Sequence, residues 1–140
     1  MIRRLFQVSQ QSTLASLALL VLRLVAGSAF VLHGWGKIQN PMAWMGPESP
    51  VPGVLQLLAA VSEFGGGAAW ILGVLTPLAS FGLTCTMAVA VHMHFIVLQD
   101  PFVHPTGGRS FEPALGYLAV ALVLMFVGPG KFSLDKKLFN

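Results

Sequence analysis

Four apolar stretches make up most of this 140-residue chain. They run from about Leu14 to His33, Val54 to Leu75, Pro77 to Leu98 and Pro113 to Gly128. A helix needs about 20 apolar residues to cross about 30 Å of hydrocarbon, and each stretch is close to that length. Because only helices and closed barrels satisfy every backbone polar group inside a bilayer, the pattern predicts an all-α fold. We expect an integral membrane four-helix bundle, with residues 1–140 forming a single transmembrane domain.

Composition argues against a water-soluble or nucleic-acid-binding protein. Hydrophobic residues make up 55% of the chain and charged residues 9%, whereas globular proteins carry about 25% charged residues. The formal net charge of +3 does not indicate a nucleic-acid partner, because the basic residues lie mainly near the two ends of the sequence. The single cysteine, Cys85, excludes an intrachain disulfide and a CxxC pair. We interpret it as a small apolar residue inside a helix.

The distribution of basic residues predicts the orientation in the membrane. Five lie near the ends and two in the long loops: Arg3, Arg4, Lys131, Lys136 and Lys137 against Lys37 and Arg109. By the positive-inside rule, both termini are cytoplasmic. Residues 36–53 and 99–112 then face the periplasm of a bacterial inner membrane. We do not interpret Arg3-Arg4 as a twin-arginine export signal, because Arg23 interrupts the apolar core that such a signal needs.

Two opposite charges lie inside the first two spans. Arg23 and Glu63 each occur about ten residues into their span, where an ionisable side chain is a functional candidate by default. Antiparallel neighbours would place both near the bilayer centre, at about 1.5 Å per residue. Since arginine offers a bidentate fork to a carboxylate, we predict a buried ion pair. A structural lock between the two helices is as consistent with this pattern as a catalytic role.

Further polar and small residues extend from this pair. The helical face of Arg23 continues to Lys37, and His33 lies beside that line. On the second span Gly66 shares the face of Glu63. Glycines in a membrane helix permit close helix packing, and they also leave room for a flat ligand. Both interpretations stay open for Gly66.

Two histidines lie in the outer half of the third span. A two-residue step separates His92 from His94 by about 200° around a helix, so both cannot face inward. We predict that His92 faces the bundle, on the side of Cys85 and Ala88. A hydrogen-bonded core histidine is the alternative. Glu112 opens the fourth span, where a carboxylate complements the helix N-terminus.

These residues together predict a polar track from the periplasm to the midplane. We assign catalytic roles to His92, Glu63 and Arg23, and cofactor binding to Arg23, His33, Lys37, Glu63, Gly66 and His92. The expected cofactor is a quinone, with its headgroup in the track and its tail between helices. No metal ligand is assigned. A haem held by two histidines, or a metal held by His92 and a carboxylate, has no supporting ligand spacing such as HExxH.

The same residues resemble the DoxX family of small bacterial membrane proteins, over the range from Leu22 to Asp135. The marks are Arg23 with Gly27, the HGWGK run at 33–37, the EFGG run at 63–66, His92, and the GPGKFSLD run at 128–135. The resemblance implies a four-helix membrane bundle. It also implies a link to redox systems, which include a subunit of a thiosulfate:quinone oxidoreductase.

The leading functional hypothesis is a DoxX-like membrane subunit of a redox system. It would bind quinone or quinol and couple it to oxidation of a sulfur compound or a partner protein. Since the chain holds no evident redox centre, electrons would come from a periplasmic partner or a small reductant. The alternatives are a non-catalytic membrane anchor or assembly subunit, and a binder or transporter of a small amphiphile. One chain with four spans is small for a transporter, so the transport alternative favours a homo-oligomer.

Overall fold

The structure is a computed structural model that describes residues 6–140. It contains the helices α1 (Thr13–Gln39), α2 (Gly53–Leu72), α3 (Thr76–His92), α4 (Glu112–Val127) and α5 (Leu134–Phe139). A π-helical turn, Met93–Val97, extends α3. The part of the chain described here has no strand, which confirms the predicted all-α fold.

Helices α1 to α4 pack in sequence order as an antiparallel up-down-up-down bundle. Each helix packs mainly against its neighbours in the chain. Helices α1 and α4, which close the bundle, contact each other less than sequential helices do, and we call the line between them the α1–α4 seam. We call the end where α1 begins, α4 ends and α5 lies the α5 face. The opposite end, which carries the connections 40–52 and 98–111, is the loop face. The bundle is therefore most open between α1 and α4.

Three helices are long and apolar enough to cross a membrane: Thr13–Gln39, Gly53–Leu72 and Thr76–Val97. The fourth, Glu112–Val127, is apolar but has 16 residues, or about 24 Å at 1.5 Å per residue. Large apolar side chains cover the outer surface, including Leu14, Val25 and Phe126. Such a surface is stable facing lipid rather than water, as expected for a membrane helical bundle.

Helix α1 is longer than the sequence predicted. It continues past the expected end at His33 to Gln39. The loop predicted to begin at Gly36 therefore begins after Gln39. Gly34 lies against α2, where a Cβ would be 2.5 Å from the Phe64 nitrogen. This glycine therefore permits close helix packing and does not end the helix.

Gly34→Ala is expected to lower the free energy of unfolding by about 1–3 kcal/mol, because the added methyl group overpacks the α1–α2 contact. Its near neighbours are backbone atoms of Phe64, which cannot move aside alone. Gly36→Ala is the matched control, since nothing lies within 4 Å of its Cβ position. Thermal unfolding in detergent measures both. Equal stability of the two variants would contradict this packing.

A small aromatic and aliphatic core holds the bundle together. The Trp70 and Phe30 rings meet edge to face, with centroids 5.5 Å apart, and Trp70 Nε1 donates to Ser80 Oγ at 2.9 Å. Leu83 and Leu124 are fully buried beside them. The single polar atom of the tryptophan ring is thereby satisfied inside the core, which suits its complete burial.

Residues after α4 fold back onto the turn between α2 and α3. Gly73, with φ +65°, ends α2, and the Asp135 backbone N–H donates to its carbonyl at 2.8 Å. The buried Asp135 carboxylate accepts from the backbone N–H groups of Leu75 at 2.7 Å and Thr76 at 2.9 Å. A carboxylate thus caps the start of α3, where the helix dipole favours negative charge.

The α5 face carries Lys131, Lys136 and Lys137, three of the five basic residues that the orientation prediction assigns to one side of the membrane. Arg3 and Arg4, on which that prediction also depends, lie outside the described residues. The cytoplasmic location of both termini stays a prediction.

Candidate functional site

A partly buried ion pair joins α1 to α2 on the loop-face side of the bundle. Lys37 Nζ lies 2.7 Å from both carboxylate oxygens of Glu63. Glu63 is 3% exposed, whereas the Lys37 side chain is 25% exposed. Lys37 belongs to the last turn of α1 and Glu63 to the middle of α2. The pair neutralises a carboxylate that would be costly to leave alone in a low-dielectric interior.

The first long connection folds over this pair. The Lys37 ammonium lies 4.5 Å from the centre of the Trp44 ring, a cation–π arrangement. Trp44 Nε1 donates to the Gln56 carbonyl at 2.9 Å. The Gln56 side chain also accepts from the Met45 backbone N–H at 3.0 Å and donates to the Val51 carbonyl at 2.8 Å. These bonds hold residues 44–51 against the start of α2 and fix the tryptophan beside the lysine.

A cavity of about 190 Å³ opens next to the ion pair, and we call it the α1–α4 cavity. Residues of all four long helices line it: Phe30, His33, Lys37, Glu63, Met87, Ala90, Pro113, Ala114 and Tyr117. Across the seam, the His33 and Tyr117 rings meet edge to face with centroids 6.4 Å apart. Tyr117 also contacts Phe30, at 4.9 Å between centroids.

The α1–α4 cavity has the composition of a small-molecule site. Its walls are mostly apolar and aromatic, and its polar groups are Lys37, Glu63, His33 and Tyr117. Ligand sites commonly combine apolar walls with a few convergent polar groups. Within residues 6–140, the His33 ring and the Tyr117 hydroxyl make no hydrogen bond to another residue. Both remain available to a ligand.

The predicted pairing of Arg23 with Glu63 is wrong. Arg23 is 1% exposed, and its guanidinium donates only to backbone carbonyls. The acceptors are Trp70 at 2.8 Å, Ile71 at 3.2 Å, Pro129 at 2.7 Å and Phe132 at 3.0 Å. At the α5 face, the guanidinium therefore joins α1 to the end of α2 and to the segment after α4.

The register of α1 against α2 explains the error. Gly27 lies against Gly67, and Gly34 against Phe64, so Arg23 is level with the end of α2. The seven residues from Glu63 to Trp70, the first carbonyl partner of Arg23, span about 10 Å of helix. Because α1 extends beyond its predicted end, Lys37 reaches Glu63 and Arg23 does not.

The predicted orientation of α3 is also wrong. His92 faces outward and is exposed, as are Cys85 and Ala88. The inward face carries Leu83 and Met87, which are buried, and Ala90, which lines the α1–α4 cavity. The polar track is therefore divided: His33, Lys37 and Glu63 meet at the cavity, while Arg23 and His92 do not.

His94 lies in a separate polar cluster on the loop face. Its Nδ1 is 2.7 Å from Asp100 Oδ2, and Asp100 Oδ1 lies 3.5 Å from Arg109 Nε. This cluster joins the π-helical turn to the connection 98–111. Gly66, predicted at the cofactor, lies against Leu83 of α3, and Glu112 is exposed in the first turn of α4.

Sequence reasoning missed Tyr117 and Trp44 as members of the site. Tyr117 is the single tyrosine of the chain, and a lone phenol inside an otherwise apolar span was an available signal. Trp44 lies in a proline- and glycine-containing loop, and nothing in the sequence places its ring over Lys37. In the described part of the chain, no three His, Cys, Asp or Glu side chains are grouped to hold a metal.

Comparison with known proteins gives a consistent family relationship. The DoxX family profile matches residues 18–98. An uncharacterized protein of Haemophilus influenzae is 33% identical over 120 residues, which cover 85% of this chain and 89% of that protein. The inner membrane protein YqjF of Escherichia coli is 32% identical over 134 residues, with 89% and 95% covered. No solved structure matches significantly.

Proposed function

Because the chain belongs to the DoxX family of multi-pass inner membrane proteins, we propose that it is the membrane subunit of a redox system. In this proposal the α1–α4 cavity binds the headgroup of a quinone or quinol. One observation carries the proposal: the buried Glu63 carboxylate and its partly buried partner Lys37 adjoin an apolar cavity that also presents His33 and Tyr117. The predicted catalytic set is thereby revised, with Glu63 retained and Lys37, His33 and Tyr117 replacing Arg23 and His92.

The residues of the cavity fit a quinone ring. Its volume of about 190 Å³ is below the roughly 300–1,000 Å³ typical of sites that enclose a whole ligand. It suits one ring, with the tail outside in lipid. The α1–α4 seam, where the helices have least contact, supplies a lateral opening for that tail. Phe30 and Tyr117 provide aromatic surface for the ring.

The polar groups suit the chemistry of the headgroup. A bound quinone accepts two electrons and two protons to become a quinol, and the quinol returns them. Lys37, His33 and Tyr117 can donate hydrogen bonds to its oxygens, and Glu63 can accept one. Histidine and carboxylate side chains can also pass protons to or from a bound oxygen. The positive charge of Lys37 favours the state in which negative charge develops on that oxygen.

In this proposal the electrons come from outside the chain. The partner is a protein at the loop face or a small reductant such as a sulfur compound, because the sequence has no evident redox centre. At the loop face the Trp44 ring lies against Lys37, and Gln56 holds residues 44–51 at the start of α2. A donor docked on these residues would lie close to the cavity.

A specific observation also favours a second class of function, the non-catalytic anchor. Arg23 is the most deeply buried cation among the described residues, and its guanidinium donates to backbone carbonyls at the α5 face. An anchor needs stable helix packing and no ligand. The two proposals differ in one respect: the anchor predicts that site variants alter assembly and leave quinone binding unchanged.

Replacing His33 or Tyr117 should weaken quinone binding without unfolding the protein. We expect His33→Phe and Tyr117→Phe each to reduce affinity about 3- to 10-fold, as the loss of one hydrogen bond worth about 0.5–1.5 kcal/mol implies. The measurement is titration of the detergent-purified full chain with a short-chain benzoquinone, followed by tryptophan fluorescence. Lipid extraction with mass spectrometry tests whether the protein co-purifies with quinone.

His92→Phe is the matched control for His33→Phe. The chemical change is the same, but His92 faces away from the bundle and should leave the affinity unchanged. The redox proposal is abandoned if wild-type protein binds no quinone, or if His33→Phe and Tyr117→Phe bind as tightly as wild type.

A further inference from the structure

A second cavity lies at the α5 face, opposite the proposed quinone site. Its volume is about 340 Å³, and it is lined by Leu72, Lys131, Phe132, Ser133, Leu134 and Lys137. Leu72 is the last residue of α2. The other five residues belong to the segment that follows α4 and to α5. We call it the lysine cavity.

We expect the lysine cavity to lie at the depth of the lipid headgroups. Its residues come from the end of one apolar helix and from the chain just beyond another, where the hydrocarbon region gives way to the polar interface. Leu72 is 54% exposed and Phe132 44% exposed. These side chains present apolar surface next to the two ammonium groups, an arrangement suited to a molecule with a polar head and an apolar chain.

Within the described residues, no acidic side chain is paired with the two lysines of the cavity, Lys131 and Lys137. The one acidic side chain of this segment, Asp135, is fully buried. Its two oxygens already accept the backbone N–H groups of Leu75 and Thr76. The lysines are therefore free to bind an anion.

A third cation stands behind the wall of the cavity. Arg23 Nη1 donates to the Phe132 carbonyl at 3.0 Å, and Phe132 and Ser133 line the cavity. The arginine does not reach the cavity itself, because it is 1% exposed. The buried Asp135 carboxylate acts electrostatically on Arg23 and offsets its charge, so the attraction for an anion depends on the two lysines.

We propose that the lysine cavity binds the phosphate of an anionic phospholipid of the surrounding leaflet. Lys131 and Lys137 contact the phosphate, and the acyl chains lie along Leu72 and Phe132. Lysine is a flexible point charge well suited to phosphate, and basic residues next to the end of a membrane helix attract anionic lipid headgroups. The two cavities lie at opposite faces, so this proposal is independent of quinone binding.

The test uses the detergent-purified full chain, titrated with phosphatidylglycerol and followed by native mass spectrometry. Each basic residue near an anionic surface contributes about fivefold in affinity. Lys131→Gln and Lys137→Gln should each weaken binding about fivefold, and the double variant about 25-fold. Phosphatidylcholine, which has no net charge, should bind all variants equally weakly. Thermal unfolding of each variant verifies that the fold is retained.

Lys136→Gln is the matched control, because it makes the same charge change next to Lys137 but Lys136 does not line the cavity. It should keep at least half of the wild-type affinity. Equal losses in Lys136→Gln and Lys137→Gln would overturn the proposal in favour of general charge attraction. An unchanged double variant would overturn it as well. Displacement of the lipid by millimolar inorganic phosphate would assign the site to free phosphate instead of lipid.

Discussion

Arg23→Met is expected to lower the free energy of unfolding by about 3–5 kcal/mol, among the largest losses for any single substitution in the bundle. Among residues 6–140, the change removes the only side-chain donor to the carbonyls of Trp70, Ile71, Pro129 and Phe132. Hydrogen bonds to a charged donor contribute about 1.5–3 kcal/mol each, and a buried carbonyl left unpaired adds a further penalty. The α5 face should therefore loosen first.

Chemical unfolding of the purified protein, followed by circular dichroism, measures this loss. Arg23→Lys is the graded control: it keeps the charge, but a single ammonium cannot reach acceptors arranged around a planar fork. We expect it to lie between wild type and Arg23→Met. Adding Glu63→Gln to Arg23→Met should add the separate loss of Glu63→Gln, because sites about 10 Å apart are usually additive. Recovery of stability in that double variant would contradict the observed geometry.

Lys37→Met should lower the free energy of unfolding by about 3 kcal/mol, because it leaves the buried Glu63 carboxylate without its partner. Glu63→Gln should be milder. The lysine it leaves is 25% exposed and keeps its contact with the Trp44 ring. The double variant Lys37→Met with Glu63→Gln should recover most of the loss, since no buried charge then remains unpaired.

The double-mutant cycle gives the coupling free energy of this pair directly. It is measured by the same unfolding experiment, on protein freed of lipids and quinone so that ligand binding does not contribute. A coupling below about 0.5 kcal/mol, the level found for independent sites, would mean that the ion pair does not stabilise the bundle. The corresponding cycle for Arg23 and Glu63 provides the negative control.

The helical bundle was predictable because its signal extends over whole segments. Four apolar stretches led to four long helices, with most boundaries within three residues of those observed. The pairing of side chains depends on the register between helices, which the hydropathy pattern does not contain. A shift of about 10 Å along α2 separates Glu63 from the level of Arg23. The glycine contacts that set this register involve backbone atoms, whose position follows only from the folded structure.

The inward face of α3 was unpredictable for a related reason. Apolar residues surround this helix on every side, so Met87, which is buried, and Val89, which is 62% exposed, look alike in the sequence. Amphipathic periodicity identifies the buried face of a helix in water. In lipid both faces are apolar, and packing decides between them. The histidines therefore gave no reliable indication of which side faces the bundle.

The candidate site was predicted in part. His33, Lys37 and Glu63 line one cavity, and their roles in binding stay predictions. Tyr117 completes the cavity from α4, more than 50 positions after Glu63 in the sequence. Its contribution depends on closure of the bundle between α4 and α1. Local spacing carries no information about such a closing contact.

All four carbonyl acceptors of Arg23 are synthesised after Arg23 itself. Arg23 enters the membrane before any of its carbonyl acceptors has been made. Trp70 and Ile71 follow 47 and 48 residues later, while Pro129 and Phe132 follow only after 106 and 109 residues. A nascent α1 must meanwhile hold its guanidinium close to water or to lipid phosphates, because a bare charge in hydrocarbon is costly. A chain that stops between α2 and α4 would therefore leave Arg23 without its Pro129 and Phe132 acceptors, at a cost in free energy inside the membrane.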